Sequence, residues 1–288
     1  MNCRITLAIV LLGLAQVGAE QTSAVSEITR RTSGSFLFTD PESSHSITVW
    51  YCRASSLTAN TRIVFVMHGS ESKTARQACD IASSEVDVLN AIVLAPEFSE
   101  RTYPQDAYTF GNMFDPGGKP LPKSQWTLTT VERLFDAVRR DLALTATVYD
   151  IVGFSGGGQF VHRLVLFLPE ARFRRAVAAS AGRYAFPSWA HRFPYGLDGS
   201  RVDRNGLTKA FSRDFVLVLG DRDTDDRTRE AEAKQQGANR FARGLRFFAI
   251  ATEEAATLGV GLQWQLQIVH GVDHAPVPMV RTALQLLR

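Results

Sequence analysis

"DIVGFSGGGQFVHRLVLF", Asp150 to Phe167, puts a serine and three glycines between a run composed like a buried strand and an amphipathic run with the period of a helix. Glycine where a helix should begin costs of order 0.5–1 kcal/mol per residue in backbone entropy, so the placement needs a reason. Gly153-Phe154-Ser155-Gly156-Gly157 fits G-x-S-x-G in the strand–turn–helix setting that this pattern requires. Small residues two before and two after the serine let strand and helix pass close to a sharp turn, from which the hydroxyl projects above the sheet. Gly156 leaves its N–H free to face a developing oxyanion, a donor worth roughly 2.7–4 kcal/mol of barrier. Ser155 is therefore a candidate nucleophile; the bland alternative is a tight turn that carries no chemistry.

A serine hydroxyl needs a base to take its proton and a third group to orient that base. With the serine first, the acid and then the histidine are expected on loops after later strands. "LVLGDRDTDD" (Leu217–Asp226) offers Asp221, Asp223, Asp225 and Asp226 after a buried strand, and "IVHGVDHAP" (Ile268–Pro276) offers His270 and His274. Asp223 and His274 are the choices, with Asp221 and Asp226 as alternative acids and His270 read as structural. The second oxyanion donor is expected from "VFVMHGSES" (Val64–Ser72), as the N–H of Ser70, with His68 tying that loop down. His45, His162 and His191 have no partner motif. Asp221, Asp223, Asp225 and Glu232 echo a calcium loop, but Asp226 stands where glycine is needed and Arg227 and Arg229 intervene. No metal site is expected.

Outward from these motifs the chain alternates. "SFLF" and "SITVWYC" read as an opening hairpin. The buried-type strands are "RIVFVMHG", "AIVLAPEF", "TVYDIVGF", "RRAVAASAG", "DFVLVLGD" and "QWQLQIV". Helices are expected around Lys73–Ser84, at Thr129–Ala143, at Gly157–Leu168, across 227–259 with a break near Gly237, and at the C-terminus. Strands alternating with helices imply a mostly parallel sheet covered on both faces, an α/β fold. Residues 99–125 read as a long loop. The aromatic and proline-rich stretch 182–206 reads as an insertion, a candidate lid. Tyr103, Trp126, Trp189 and Tyr195, in or beside these irregular stretches, are candidates for a substrate wall, with core packing as the alternative.

Residues 1–19, with Arg4, the apolar run Ile5–Val17 and small residues at Gly18 and Ala19, have the layout of a secretory signal peptide cleaved near Ala19. The run is too short for a membrane span, so no stable membrane anchor is expected, and 20–288 reads as one catalytic domain. The 288 residues carry 32 Lys and Arg against 29 Asp and Glu, net +3, scattered without a basic stripe, which argues against nucleic acid. Cys52 and Cys79, left after Cys3 is set aside, are a candidate disulfide in an exported protein, or two buried thiols.

The elbow, "MHGS" (Met67–Ser70), "LGDRDTDD" and "GVDH" (Gly271–His274) in this order resemble the α/β-hydrolase superfamily. Within it, "HGS", "GFSGGGQFVHR" and "AVAASAGRY" are most similar to secreted esterases related to polyhydroxybutyrate depolymerases and feruloyl esterases. The resemblance runs from about Thr61 to the C-terminus. It implies the α/β-hydrolase fold, a Ser155–His274–Asp223 triad, a covalent acyl-enzyme, no cofactor, and a small-molecule or oligomeric ester as substrate. Depolymerases of that branch often carry a separate polymer-binding domain that this sequence does not show, which favours smaller or soluble esters. The expectation is a secreted serine carboxylester hydrolase. The alternatives are an acyltransferase or peptidase with the same triad, or a non-catalytic binding protein on the same fold.

Overall fold

A computed structural model of the chain describes residues 27–225 and 230–288. The signal-peptide reading and the alternative acid Asp226 lie outside the described residues. The strands are β1 (Ser33–Thr39), β2 (Ser46–Arg53), β3 (Arg62–Met67), β4 (Ala91–Glu97), β5 (Tyr149–Phe154), β6 (Phe173–Ala179), β7 (Phe215–Gly220) and β8 (Gln265–Val269). The helices are α1 (Thr74–Ala82), α2 (Val86–Leu89), α3 (Gln105–Thr109), α4 (Thr127–Asp141), α5 (Gly156–Phe167), α6 (Arg204–Phe211), α7 (Ala231–Gln235), α8 (Arg240–Leu258) and α9 (Pro276–Gln285).

The strands form one eight-stranded sheet in the order β1-β2-β4-β3-β5-β6-β7-β8. β1 and β2 pair antiparallel from Ser33↔Cys52 to Thr39↔Ser46, the expected hairpin. β2 meets β4 antiparallel, and from β4 to β8 every pairing is parallel. This is the α/β-hydrolase architecture.

The continuous apolar strands are two alternations superposed, because successive side chains leave a strand on opposite faces. Ile63, Phe65 and Met67 of β3, with Ile151 of β5 and Leu217 and Leu219 of β7, join the core under α4, α5, α6 and α8. Val64, Val66, Val152, Val216 and Val218 join a second core with Ala75, Ala78 and Ile81 of α1 and Met279, Val280 and Ala283 of α9. Burial on both faces is why these strands lack the polar–apolar alternation of a half-solvated sheet.

Connections reverse direction at β3, which has β4 on one side and β5 on the other. In open α/β sheets ligands bind at such a switch point, in the crevice beyond the carboxyl ends of the strands. The β3 and β5 ends carry Ser70 and Ser155. Among the described residues no helix is long and apolar enough to cross a membrane.

Cys52 on β2 and Cys79 on α1 are both buried, as free thiols rather than a bonded pair. The Cys52 thiol donates to the Cys79 carbonyl at 3.2 Å.

Candidate active site

Ser155 has φ 56° and ψ −112°, a left-side backbone that a residue with a β-carbon rarely adopts. The glycines around it make that turn possible. A β-carbon at Gly157 would sit 2.1 Å from the Met67 carbonyl oxygen, and one at Gly153 would sit 2.2 Å from the Gly157 oxygen. α5 thus starts against the end of β3 at a distance that only hydrogen side chains permit. Ser155 is tied in place by its N–H to the Ala179 carbonyl of β6 at 2.9 Å.

The β7 and β8 loops come together beside this turn. His274 Nε2 is 3.0 Å from Ser155 Oγ, and His274 Nδ1 is 2.7 Å from Asp223 Oδ2. The structure therefore brings Ser155, His274 and Asp223 into one hydrogen-bonded chain. Asp223 is buried, and burial alone would push its carboxyl up. The bond from His274 and the charges of His274 and Arg240 outweigh that, and it lies below its ordinary range. The His274 ring rests on Phe154, centroids 4.6 Å apart. Asp221, the alternative acid, turns instead to His270 at 2.9 Å and to the Gly271 N–H at 2.7 Å, at the surface. The bond to His270 is the main cause of its lowered carboxyl pKa.

Ser70 and Gly156 are neighbours across the crevice: a β-carbon at Gly156 would lie 2.8 Å from the Ser70 nitrogen. The loop carrying Ser70 is held from several sides. The Gly69 N–H donates to Thr74 Oγ1 at 3.2 Å, and Ser72 donates its N–H (2.5 Å) and hydroxyl (2.7 Å) to Glu100. His68 lies under the loop. Its Nε2 accepts from the Phe98 N–H at 3.1 Å, so Nδ1 carries the proton given to the Gly69 carbonyl at 2.6 Å. The ring stacks on Tyr108 at 4.3 Å, and burial lowers its pKa to about 4, so it stays neutral. His162 is likewise buried and satisfied, between Gly158 O and the Ala185 N–H.

An open groove of about 230 Å³ runs from Ser155 and Ser70 between α1 and α9, floored by Met67, Ala78, Ile81, Phe154 and Val280. Its rim carries Glu71, Thr74 and Gln77, and no cationic side chain among the described residues. For scale, a dry cavity of about 150 Å³ holds benzene.

The four candidate wall aromatics do not line this groove. Tyr103 is buried in the core, edge-on to Phe98 at 4.9 Å. Trp126 is buried with its indole N–H on the Leu121 carbonyl, and Trp189 donates to the Val202 carbonyl. Tyr195 lines a separate cavity of about 450 Å³ with Phe186, Arg192, Gln236 and Arg246. Trp126 and Trp189 bond to their own irregular stretches, Tyr103 packs into the core and Tyr195 faces another cavity, so position in a loop near the crevice did not amount to facing it. The sequence reading also missed Arg240, whose guanidinium reaches Asp223. It sits among several arginines of one charged helix, and nothing local marks it.

No family model matches the chain, and comparison with curated proteins gives no significant match. Solved structures do match. Poly(aspartic acid) hydrolase-1 from Sphingomonas sp. KT-1 is 36% identical, over 88% of this chain and 98% of that one, with a TM-score of 0.85. The chain belongs to the α/β-hydrolase superfamily. The hydrolase is also similar to LpqC, a poly(3-hydroxybutyrate) depolymerase from Bordetella parapertussis, at 28% identity over 93% of this chain and 94% of that one, TM-score 0.87. The fluorophosphonate-binding serine hydrolase FphF of Staphylococcus aureus, at 14% identity and TM-score 0.57 over 88% and 97% of the two chains, shares the fold alone. With the first two of these relatives, this α/β-hydrolase is an enzyme of the hydrolase class.

Proposed function

We propose that this α/β-hydrolase is an exported serine hydrolase that cleaves carboxylic esters through an acyl-enzyme. The observation that carries the reading is the unbroken chain from Ser155 Oγ through His274 to buried Asp223, opening onto an apolar groove. His274 Nε2 takes the Ser155 proton as Oγ attacks the substrate carbonyl, and Asp223 holds the imidazole with Nδ1 protonated and offsets the charge it gains. The Ser70 and Gly156 N–H groups hold the tetrahedral oxyanion. His274 returns the proton to the departing alkoxide, leaving an ester on Ser155. A water, deprotonated by the same imidazole, then attacks that ester; the acid leaves and Ser155 regains its proton.

Two relatives bear names with different chemistries, one a polyanionic amide polymer and one a neutral polyester. The apolar groove, with no cationic lining side chain among the described residues, favours a neutral ester here. The 36% identity to poly(aspartic acid) hydrolase-1 favours a second reading, amide hydrolysis by the same machinery. The deciding experiment compares p-nitrophenyl butyrate, soluble hydroxybutyrate oligomers and poly(aspartic acid) as substrates of protein beginning at Glu20, with Ser155→Ala alongside. Ester turnover that disappears in the variant is expected; turnover of poly(aspartic acid) alone would replace the ester reading by the amide one, and ester turnover surviving Ser155→Ala would end both. Export is tested by N-terminal sequencing of protein recovered outside the cytoplasm, with cleavage after Ala19 expected.

A further inference from the structure

Asp223 has a second charged partner that the triad does not require. Its Oδ2 faces His274, while its Oδ1 accepts from the Arg240 guanidinium at 3.2 Å. The same guanidinium nitrogen donates to the Asp225 carbonyl at 2.7 Å, and the next residue, Phe241, gives its N–H to the Asp223 carbonyl at 3.2 Å. The first turn of α8 thereby grips the acid loop by backbone and side chain together. α8 is itself held in register: its start is capped by Asn239, which accepts from the Ala242 N–H at 2.9 Å. One turn on, a β-carbon at Gly244 would lie 2.4 Å from the Leu219 side chain of β7, the strand that leads into the acid loop. The Arg240 and Asp223 side chains are 13% and 1% exposed, so solvent screens this pair little.

We propose that Arg240 is a positioning residue for the hydrolysis, fixing Asp223 against His274 and tempering the negative field that the carboxylate places on the imidazole. The proposal rests on the Ser155–His274–Asp223 reading. A bare buried carboxylate would hold the imidazolium strongly and leave less neutral base at moderately acidic pH. A cation on its far oxygen weakens that hold while preserving the geometry. Other ionisable groups around Asp223 among the described residues are Tyr184 after β6, His274 and His270 after β8, Asp221, Arg222 and Asp225 in its own loop, and Arg243 on α8. His270 and Asp221 are engaged with each other at the surface, and Tyr184 is a buried neutral phenol whose ionisation burial opposes. Among the described residues, Arg240 is the arginine bonded directly to the carboxylate.

The test is the pH profile of kcat/KM on a short p-nitrophenyl ester for wild type, Arg240→Gln, Arg240→Met and Arg240→Lys, with thermal melts of each. The neutral variants are expected to lose about tenfold in kcat/KM and to move the acid limb upward by about half to one pH unit, while Arg240→Lys keeps the limb within about 0.2 unit of wild type. A limb unmoved in a folded neutral variant overturns the proposal, whatever happens to the rate. Failure of both neutral variants to fold assigns Arg240 to stability alone and also overturns it. Fluorophosphonate labelling separates this from the underlying reading. Wild type left unlabelled at Ser155 defeats the triad; labelled wild type with an unmoved limb in the variants defeats only the role of Arg240.

Discussion

Two aspartate–histidine pairs join the same two loops, and they differ in almost everything else. Asp221 and His270 meet at 2.9 Å with the histidine side chain 85% exposed. Asp223 and His274 meet at 2.7 Å with the aspartate side chain 1% exposed. The first pair sits in water, where an ion pair is largely screened and contributes little. The second is walled by Phe154, Arg240 and the nucleophile turn, and its far nitrogen lies within hydrogen-bond reach of Ser155. Contact between an acid and a histidine therefore says little about chemistry. Burial of the acid and a target for the second ring nitrogen say much more.

The sharpest way to break the contrast is to remove the groups of the inner pair or the serine that its histidine reaches. Ser155→Ala and His274→Ala are each expected to lower kcat by roughly 10⁴–10⁶, since a triad acts as a unit. Asp223→Asn is expected to cost about 10⁴, because an amide stabilises neither the required tautomer nor the imidazolium. Both effects are read in steady-state kinetics on a short ester. If Asp223→Asn kept a tenth of the activity, the inner pair would be no more special than the outer one.

The elbow predicts the next largest effect. Gly157→Ala would drive a β-carbon into the Met67 carbonyl at 2.1 Å and is expected to cost about 3 kcal/mol, read as a lower urea midpoint. His68 sharpens the comparison from another side, as a buried histidine whose two ring nitrogens both bond to backbone groups. The unfolded chain binds a proton on it below about pH 6.5, whereas the folded one refuses it down to about pH 4. This part of the stability is complete above pH 6.5 and is lost as the pH falls toward 4, about 3 kcal/mol across the window. Buried His162, shifted the same way, adds to the trend. A urea midpoint that stays level between pH 7 and 4.5 would contradict it. Last, Asp221→Asn and His270→Ala are expected to leave kcat/KM within about twofold of wild type and the melting temperature unmoved. A large loss in either would erase the distinction between the pairs.

Much of this was legible in the residues. The apolar runs at Arg62–Met67, Tyr149–Phe154 and Phe215–Gly220 announce strands buried on both faces, and the glycines around Ser155 announce a turn where two backbones touch. Choosing between Asp221 and Asp223 was harder, because both stand in one loop, two residues apart. The structure sends them to different histidines: a turn returns the Asp223 N–H to the Gly220 carbonyl at 3.1 Å, with Asp223 buried on His274 and Asp221 at the surface on His270. Tyr103 and Trp126 were misplaced for a related reason: the stretch 99–125 folds back on itself, so its rings bury against their own neighbours and the core. Of the two readings open for Cys52 and Cys79, a disulfide or two buried thiols, the structure has the buried thiols.

The sequence by itself determined what depends on near neighbours along the chain: the period of each element, the sharp turn at Ser155, and the chain order of serine, acid and histidine. Only the tertiary structure decided which oxygen meets which nitrogen, that Arg240 closes on the far side of Asp223, and that the groove is walled by α1, α9 and Phe154. Those contacts join segments up to more than a hundred residues apart, and their angstrom-scale geometry comes from packing helices onto a twisted sheet. No local pattern of residue types encodes that distance.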